Sequence, residues 1–252
     1  MIPKKIHLCW LSGDAYPSKI ARCIESWKKH LPEYEIVLWD TKRFDLGQSQ
    51  WVREAFEKKK YAFAADYIRF YALYHEGGIY LDSDVEVLKS FDDLLDLPYF
   101  IGAEKAGTPE AAIIGAEKGC DWVKQCLDYY DGRPFIRADG SLDIKKLPEI
   151  MVEQIETLKP LRVLSLSESQ GIRKMDFSKE VLVMNDAYFS PKVFDSREVE
   201  ITPQTYAIHH YQNSWFSPKA KAYYRFRTFL IRIFGYKFIY KAERLLMPWK
   251  FK

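Results

Sequence analysis

Long apolar runs are missing from this 252-residue chain. No stretch approaches the ~20 apolar residues a membrane-spanning helix needs, so no such helix is expected. The opening residues, MIPKKIHLCW, lack the apolar core of a secretory signal, and a cytoplasmic protein is expected. Cysteine is scarce, and Cys9, Cys23, Cys120 and Cys126 show no metal-finger spacing. Cys9 lies in a strand-like run and Cys23 in a helix-like one, so both read as buried free thiols of a reducing compartment. Internal repeats and low-complexity linkers are absent too, which excludes solenoids and repeat arrays. Acid is nearly missing from one region: residues 217–252 hold ten Lys/Arg and one Glu. The preceding 216 residues hold 28 Lys/Arg and 34 Asp/Glu, so the net charge of +3 joins an acidic body to a basic tail. Nucleic-acid binding does not fit that distribution.

What is present suits a soluble globular protein, with 48% hydrophobic and 29% charged residues. Aromatics reach 16%, which suits stacking on bases and sugars or a membrane interface, although most belong in a core. The length allows one large unit, 1–216, carrying a helical tail, 217–252.

The chain turns on residues 62–86, AFAADYIRFYALYHEGGIYLDSDVE. Asp66, Arg69 and Leu73 are spaced three and four apart and share one helical face. Gly77-Gly78 stops the helix, as residues free to take positive φ do. Ile79-Tyr80-Leu81 is a short buried-type strand that delivers Asp82-Ser83-Asp84 to its C-terminal end, where open α/β sheets bind ligands. Two carboxylates at i and i+2 on an extended segment face one side. They repel unless a cation sits between them, and hard oxygens suit Mg²⁺ or Mn²⁺ shared with a phosphate. The plainer reading of the same residues is an acidic turn.

Around that stretch, strands are expected at 4–11, 35–39, 99–103, 112–115, 181–184 and 188–189. A further extended segment, 201–211, runs into His209-His210-Tyr211-Gln212-Asn213-Ser214-Trp215. Helices are expected at 17–30, 49–59, 61–75, 121–130 and 148–158. The early strand–helix alternation implies a largely parallel sheet covered on both faces. In the tail, Tyr223, Phe226, Phe229, Leu230, Ile233 and Phe234 recur at three and four, with Arg225, Arg227, Arg232 and Lys237 between them. That is a basic amphipathic helix, interrupted near Gly235, of the kind that lies on anionic membranes. Packing on the protein's own core or on a second copy is the plainer alternative.

Four segments in this order resemble the Asp-x-Asp, sugar-binding-region glycosyltransferases of glycosyltransferase family 32. They are Ile2-Pro3-Lys4-Lys5-Ile6-His7 with Trp10, Ala65-Asp66 with Arg69 and Leu73, Gly77 to Asp84, and His209/His210 with Ser214-Trp215. The match is dense over residues 1–90 and general over 100–200. The resemblance implies a GT-A-type, Rossmann-like α/β/α sandwich and transfer of a sugar from a nucleotide diphosphate to an acceptor hydroxyl. It implies retention, Mn²⁺ or Mg²⁺, and a UDP-sugar rather than a GDP-sugar. By the same resemblance Asp82, Asp84, one of His209 and His210, and Ser214 hold the metal. Asp66 and Arg69 reach the donor, Trp10 stacks on the base, Asp82 and Ser83 contact the donor, and Trp215 donates to the leaving phosphate. The expected setting is surface-glycan synthesis (capsule or O-antigen) on a lipid-linked or polysaccharide acceptor at the inner membrane face. A toxin-like protein glycosyltransferase, a non-catalytic nucleotide-binding module and a metal phosphohydrolase are the competing readings.

Overall fold

The computed structural model describes residues 1–105, 107–192, 199–212, 218–235, 238, 239 and 243. The elements run β1 (Lys5–Cys9), α1 (Ser18–His30), β2 (Glu35–Trp39), α2 (Gln50–Glu57), α3 (Tyr61–Glu76), β3 (Gly78–Leu81) and β4 (Val85–Val87). They continue β5 (Tyr99–Ala103), β6 (Pro109–Ala116), α4 (Asp121–Asp128), α5 (Leu147–Leu158), β7 (Leu161–Val163), α6 (Leu166–Gln170), β8 (Val181–Val183), β9 (Ala207–His209) and α7 (Pro218–Phe234).

The central sheet has the order β2-β1-β3-β6-β5. β1 pairs in parallel with β2 and β3, and β6 runs antiparallel to both β3 and β5, so only β6 opposes the others. Beyond β5, the Met184 and Ala103 amides donate across a parallel bridge, each at 2.8 Å, and attach the β7–β8 pair. β4 and β9 form a separate antiparallel ribbon in which Val85 faces His209.

Strand alternation separates two cores. Ile6, Leu8, Ile79 and Leu81 turn toward Ile20, Ile24 and Trp27 of α1. Val37, Trp39, Tyr80 and Ile114 turn toward α2–α5, with Trp51, Ile68, Trp122 and Ile155. The result is the expected α/β/α sandwich, and most of the aromatic excess fills it.

His7 shows how the sheet fixes the end of α3. Trp39 Nε1 donates to His7 Nδ1 at 3.0 Å, so Nε2 carries the proton and donates to the Gly77 carbonyl at 2.7 Å. Burial pushes the His7 pKa down, which keeps the ring neutral in this role. Gly78 has φ 113°, and a Cβ there would stand 2.9 Å from the Lys5 carbonyl. No side chain fits this crossing from helix to strand.

Some expected elements differ. Residues 188–189 lie in a turn rather than a strand, with Tyr188 N donating to Asn185 O at 3.1 Å. The extended segment 201–211 shortens to Ala207–His209. β4, β7 and α6 were not anticipated, because elements of three to five residues carry no readable period.

Gly115 pairs with Phe100, and a Cβ on it would lie 2.2 Å from the Phe100 ring. That ring is fully buried and stacked on Phe91 and Phe189, so it has nowhere to retreat. Gly115→Ala is expected to cost about 1–3 kcal/mol. A urea midpoint within error of the parent's, at unchanged slope, would contradict this packing.

Candidate active site

β3 ends at Leu81, and the Asp82 amide adds one more ladder bond, to Ala112 O at 2.9 Å. The chain then turns: Val85 N donates to Asp82 O at 3.0 Å. Asp82 and Asp84 therefore share a side because a turn folds them together, not because the segment is extended. The β4–β9 pairing brings His209 opposite Val85. Ligand atoms of Asp82, Asp84 and His209 all lie within 4.8 Å of one another, and among the described residues this is the one such His/Asp/Glu/Cys group.

Asp84 anchors the segment that follows β9. Its carbonyl accepts from His210 N at 3.1 Å, and its Oδ2 accepts from Gln212 N at 2.7 Å. Tyr211, between those two donors, holds φ 52°. A left-handed non-glycine costs on the order of 1 kcal/mol and persists because its neighbours fix it.

Sequence left His209 and His210 equivalent, and strand geometry separates them. His209 Nε2 lies 3.5 Å from Asp84 Oδ1, while His210 Nε2 lies 2.7 Å from Glu86 Oε2. Neighbouring residues of a strand face opposite ways, so His210 is outside the cluster. Ser83 is part-exposed in the turn between the two carboxylates. Ser214 and Trp215 lie outside the described residues.

Asp66 and Arg69 are buried on the inner face of α3, as their spacing required. Arg69 donates to Asp66 Oδ1 at 3.1 Å, to Asp82 Oδ1 at 3.3 Å and to the Ala111 carbonyl. Its guanidinium carbon also lies 4.5 Å from the centre of the Tyr80 ring. The Tyr80 hydroxyl donates to Asp82 Oδ1 at 2.9 Å. Tyr80, read from sequence as a core residue, is therefore also a partner of the site. Trp10 follows β1 and meets Tyr16 edge-on at 4.9 Å, with its indole N–H donating to Asp14 O at 2.8 Å. That pair stands at the C-terminal end of the parallel strands.

Sequence reasoning missed Glu110. It is a lone carboxylate in the apolar run PEAAIIGA of β6, and it is almost fully buried. A charge inside a buried strand needs partners, which was the available signal. Its Oε2 lies 3.1 Å from His209 Nδ1. Burial disfavours charge on His209, but the carboxylates of Glu110 and Asp84 outweigh it and raise its pKa well above the usual value. Burial likewise pushes Asp84 up, while His209 and the Gln212 amide prevail and hold it at about 2.

Residues 17–101 match the family model described as "Glycosyltransferase sugar-binding region containing DXD motif". Inositol phosphoceramide mannosyltransferase 3 of Schizosaccharomyces pombe is 30% identical over 130 residues, 50% of this chain and 36% of that protein. The uncharacterized glycosyltransferase L373 of Acanthamoeba polyphaga mimivirus is 33% identical over 151 residues, 57% of this chain and 60% of that one. The chain thus spans about a third of the first of these relatives and three fifths of the second. Among solved structures, PaToxG Glycosyltransferase aligns with TM-score 0.43 and 20% identity, covering 62% of this chain and 71% of that one.

Burial raises Asp66 to about 7, with Arg69 opposing and Asp82 adding to the rise. The folded state then holds a proton that the unfolded chain releases near the ordinary carboxylate value, so stability falls as pH rises from about 4 to about 7. Denaturant melts in metal-free buffer are expected to show this decline in the parent and a shallower one in Asp66→Asn, where Glu104, raised to about 7 by burial and by Glu110, still titrates. An equal slope in both proteins would exclude Asp66 as its source.

Proposed function

We propose, from the match of residues 17–101 to the sugar-binding region containing the Asp-x-Asp motif, that the chain is a glycosyltransferase that transfers a sugar from a nucleotide diphosphate to a hydroxyl. The acceptor is a lipid-linked or polysaccharide glycan. The observation that carries this reading is the convergence of Asp82, Asp84 and His209. Two carboxylates and an imidazole fit a divalent cation, and the nitrogen ligand favours Mn²⁺ over Mg²⁺. Held by these three side chains, such an ion would supply positive charge against the leaving diphosphate.

The chain's own groups do the rest. Arg69 holds the Asp66 and Asp82 carboxylates in fixed orientation. Asp66 meets the donor sugar's hydroxyls. Trp10 offers a ring face to the base, in a UDP-sugar in preference to a GDP-sugar. The acceptor attacks on the side the diphosphate leaves, with retention. Mannosyl transfer to inositol phosphoceramide, named for the fission-yeast relative, supports a lipid-borne hydroxyl as acceptor.

The tail supports a setting on the inner membrane face. Among the described residues no helix is long and apolar enough to cross a membrane. Phe226, Phe229, Ile233, Phe234 and Phe238 are each more than half exposed. In a segment so rich in Lys and Arg, those rings suit an anionic surface.

A panel of UDP- and GDP-sugars is expected to yield Mn²⁺-dependent nucleoside diphosphate release, with Asp84→Ala lowering kcat/KM about 100-fold or more. No turnover with any donor, together with undiminished donor binding in Asp84→Ala, would favour a non-catalytic binding module. The full chain is expected to sediment with anionic vesicles and not with neutral ones. Phe226→Asp combined with Phe229→Asp should abolish that binding; retained binding would rule out this face as the contact.

A further inference from the structure

Glu110 sits near the start of β6 with only 2% of its surface exposed. It is ringed by donors. The Ala112 amide donates to Oε1 at 2.9 Å. Oε2 accepts from Ser190 Oγ at 2.7 Å and from the Tyr211 hydroxyl at 3.1 Å, and it faces His209 Nδ1 at 3.1 Å. Burying a carboxylate this deeply is costly, and each of these contacts offsets part of the cost.

The contacts also have a direction. Ser190, Tyr211 and the Ala112 amide arrive from three different segments and fix the rotamer of Glu110. Tyr211 further packs on the His209 ring, with centroids 4.0 Å apart. An imidazole has two nitrogens, and whichever carries a hydrogen bond to an acceptor leaves the other to act as ligand. Here the nitrogen facing Glu110 is Nδ1, and the nitrogen facing Asp84 is Nε2.

Resting on the reading that Asp82, Asp84 and His209 hold a divalent cation, we propose that Glu110 is a positioning residue for that site. It keeps Nδ1 protonated, fixes the ring plane, and makes Nε2 the nitrogen offered beside the two aspartates. A carboxylate in this place also raises the basicity of the ligating nitrogen, as the neutral carbonyl of an amide does less well. Ser190 and Tyr211 serve the same arrangement by holding Glu110. The alternative is that Glu110 only ties β9 to β6, with no bearing on the ion.

The two differ in metal affinity measured apart from turnover. Free Mn²⁺ is followed by electron paramagnetic resonance in titrations of the parent, Glu110→Gln, Glu110→Ala and Asp84→Ala. Metal-free melting temperatures are recorded for each. Glu110→Ala is expected to bind Mn²⁺ about 10–100-fold more weakly, and Glu110→Gln to fall between it and the parent. Affinities of both Glu110 variants within twofold of the parent, with Asp84→Ala strongly impaired, would overturn the proposal and leave the metal site standing. A parent that binds no Mn²⁺, or an Asp84→Ala protein that binds as the parent does, would overturn both. Should the Glu110 variants fail to fold, ¹⁵N-imidazole spectra of the parent with Mg²⁺ decide the matter. A protonated Nδ1 on His209 together with an Nε2 that loses its proton on Mg²⁺ addition supports the role assigned to Glu110, and an unprotonated Nδ1 or an Nε2 unchanged by Mg²⁺ refutes it.

Discussion

One guanidinium holds the acidic end of β3 to the helix beneath it. Arg69 is buried in α3, yet it reaches Asp66 on its own helix, Asp82 beyond the strand and the Ala111 carbonyl of β6. Three elements therefore meet at a single planar cation whose fork of donors suits several acceptors at once. Burying such a charge is unfavourable unless its partners are in place, and breaking a buried pair is typically costlier than the pair's net contribution. The arrangement is thus worth more as a specification of geometry than as stability. It fixes which way Asp82 points before any ligand arrives.

A second buried group, Glu110, does for His209 what Arg69 does for Asp82. Both lie one layer behind a residue of the Asp82–Asp84–His209 cluster, and both are held by β6 or its edge. The antiparallel strand β6 is consequently more than a sheet filler. Its register against β3 sets Ala111 and Ala112 beside Asp82, while Glu110 at its start faces β9. Two short strands, β4 and β9, complete the assembly by wrapping His209 to Gln212 around Asp84. A small ribbon suffices here because the strain at Tyr211 is met by hydrogen bonds on both sides of it.

The first third of the fold was legible because its signals are local. α3 shows a charged pair at helical spacing, Gly77-Gly78 forces a stop, and β3 is a short apolar run with acid at its tip. The parallel order of β1, β2 and β3 follows from alternation with helices. What stayed hidden depends on pairing between distant segments. Which of His209 and His210 turns inward is a matter of strand parity, and parity is set by β4, a three-residue strand with no pattern of its own. Glu110 becomes significant only once β9 is laid beside it, 99 residues later in the chain. Tyr80 looked like core and is core, but its hydroxyl reaches Asp82, a contact that no periodicity announces.

In the tail, one buried pair marks the inward face of a helix. Arg227 is buried, and it grips Glu243 through Nε at 2.7 Å and through a second guanidinium nitrogen at 2.7 Å. Tyr223, one turn earlier, donates to the same carboxylate at 2.6 Å. Residues three and four apart share a helical stripe, so 223 and 227 face Glu243 together. A helix has only one inward stripe, and here an arginine holds part of it. Phe226, Phe229 and Ile233 lie about a quarter-turn or more round the helix from that stripe and are exposed. The buried Arg227–Glu243 pair and the exposed phenylalanines thus occupy different faces of one helix.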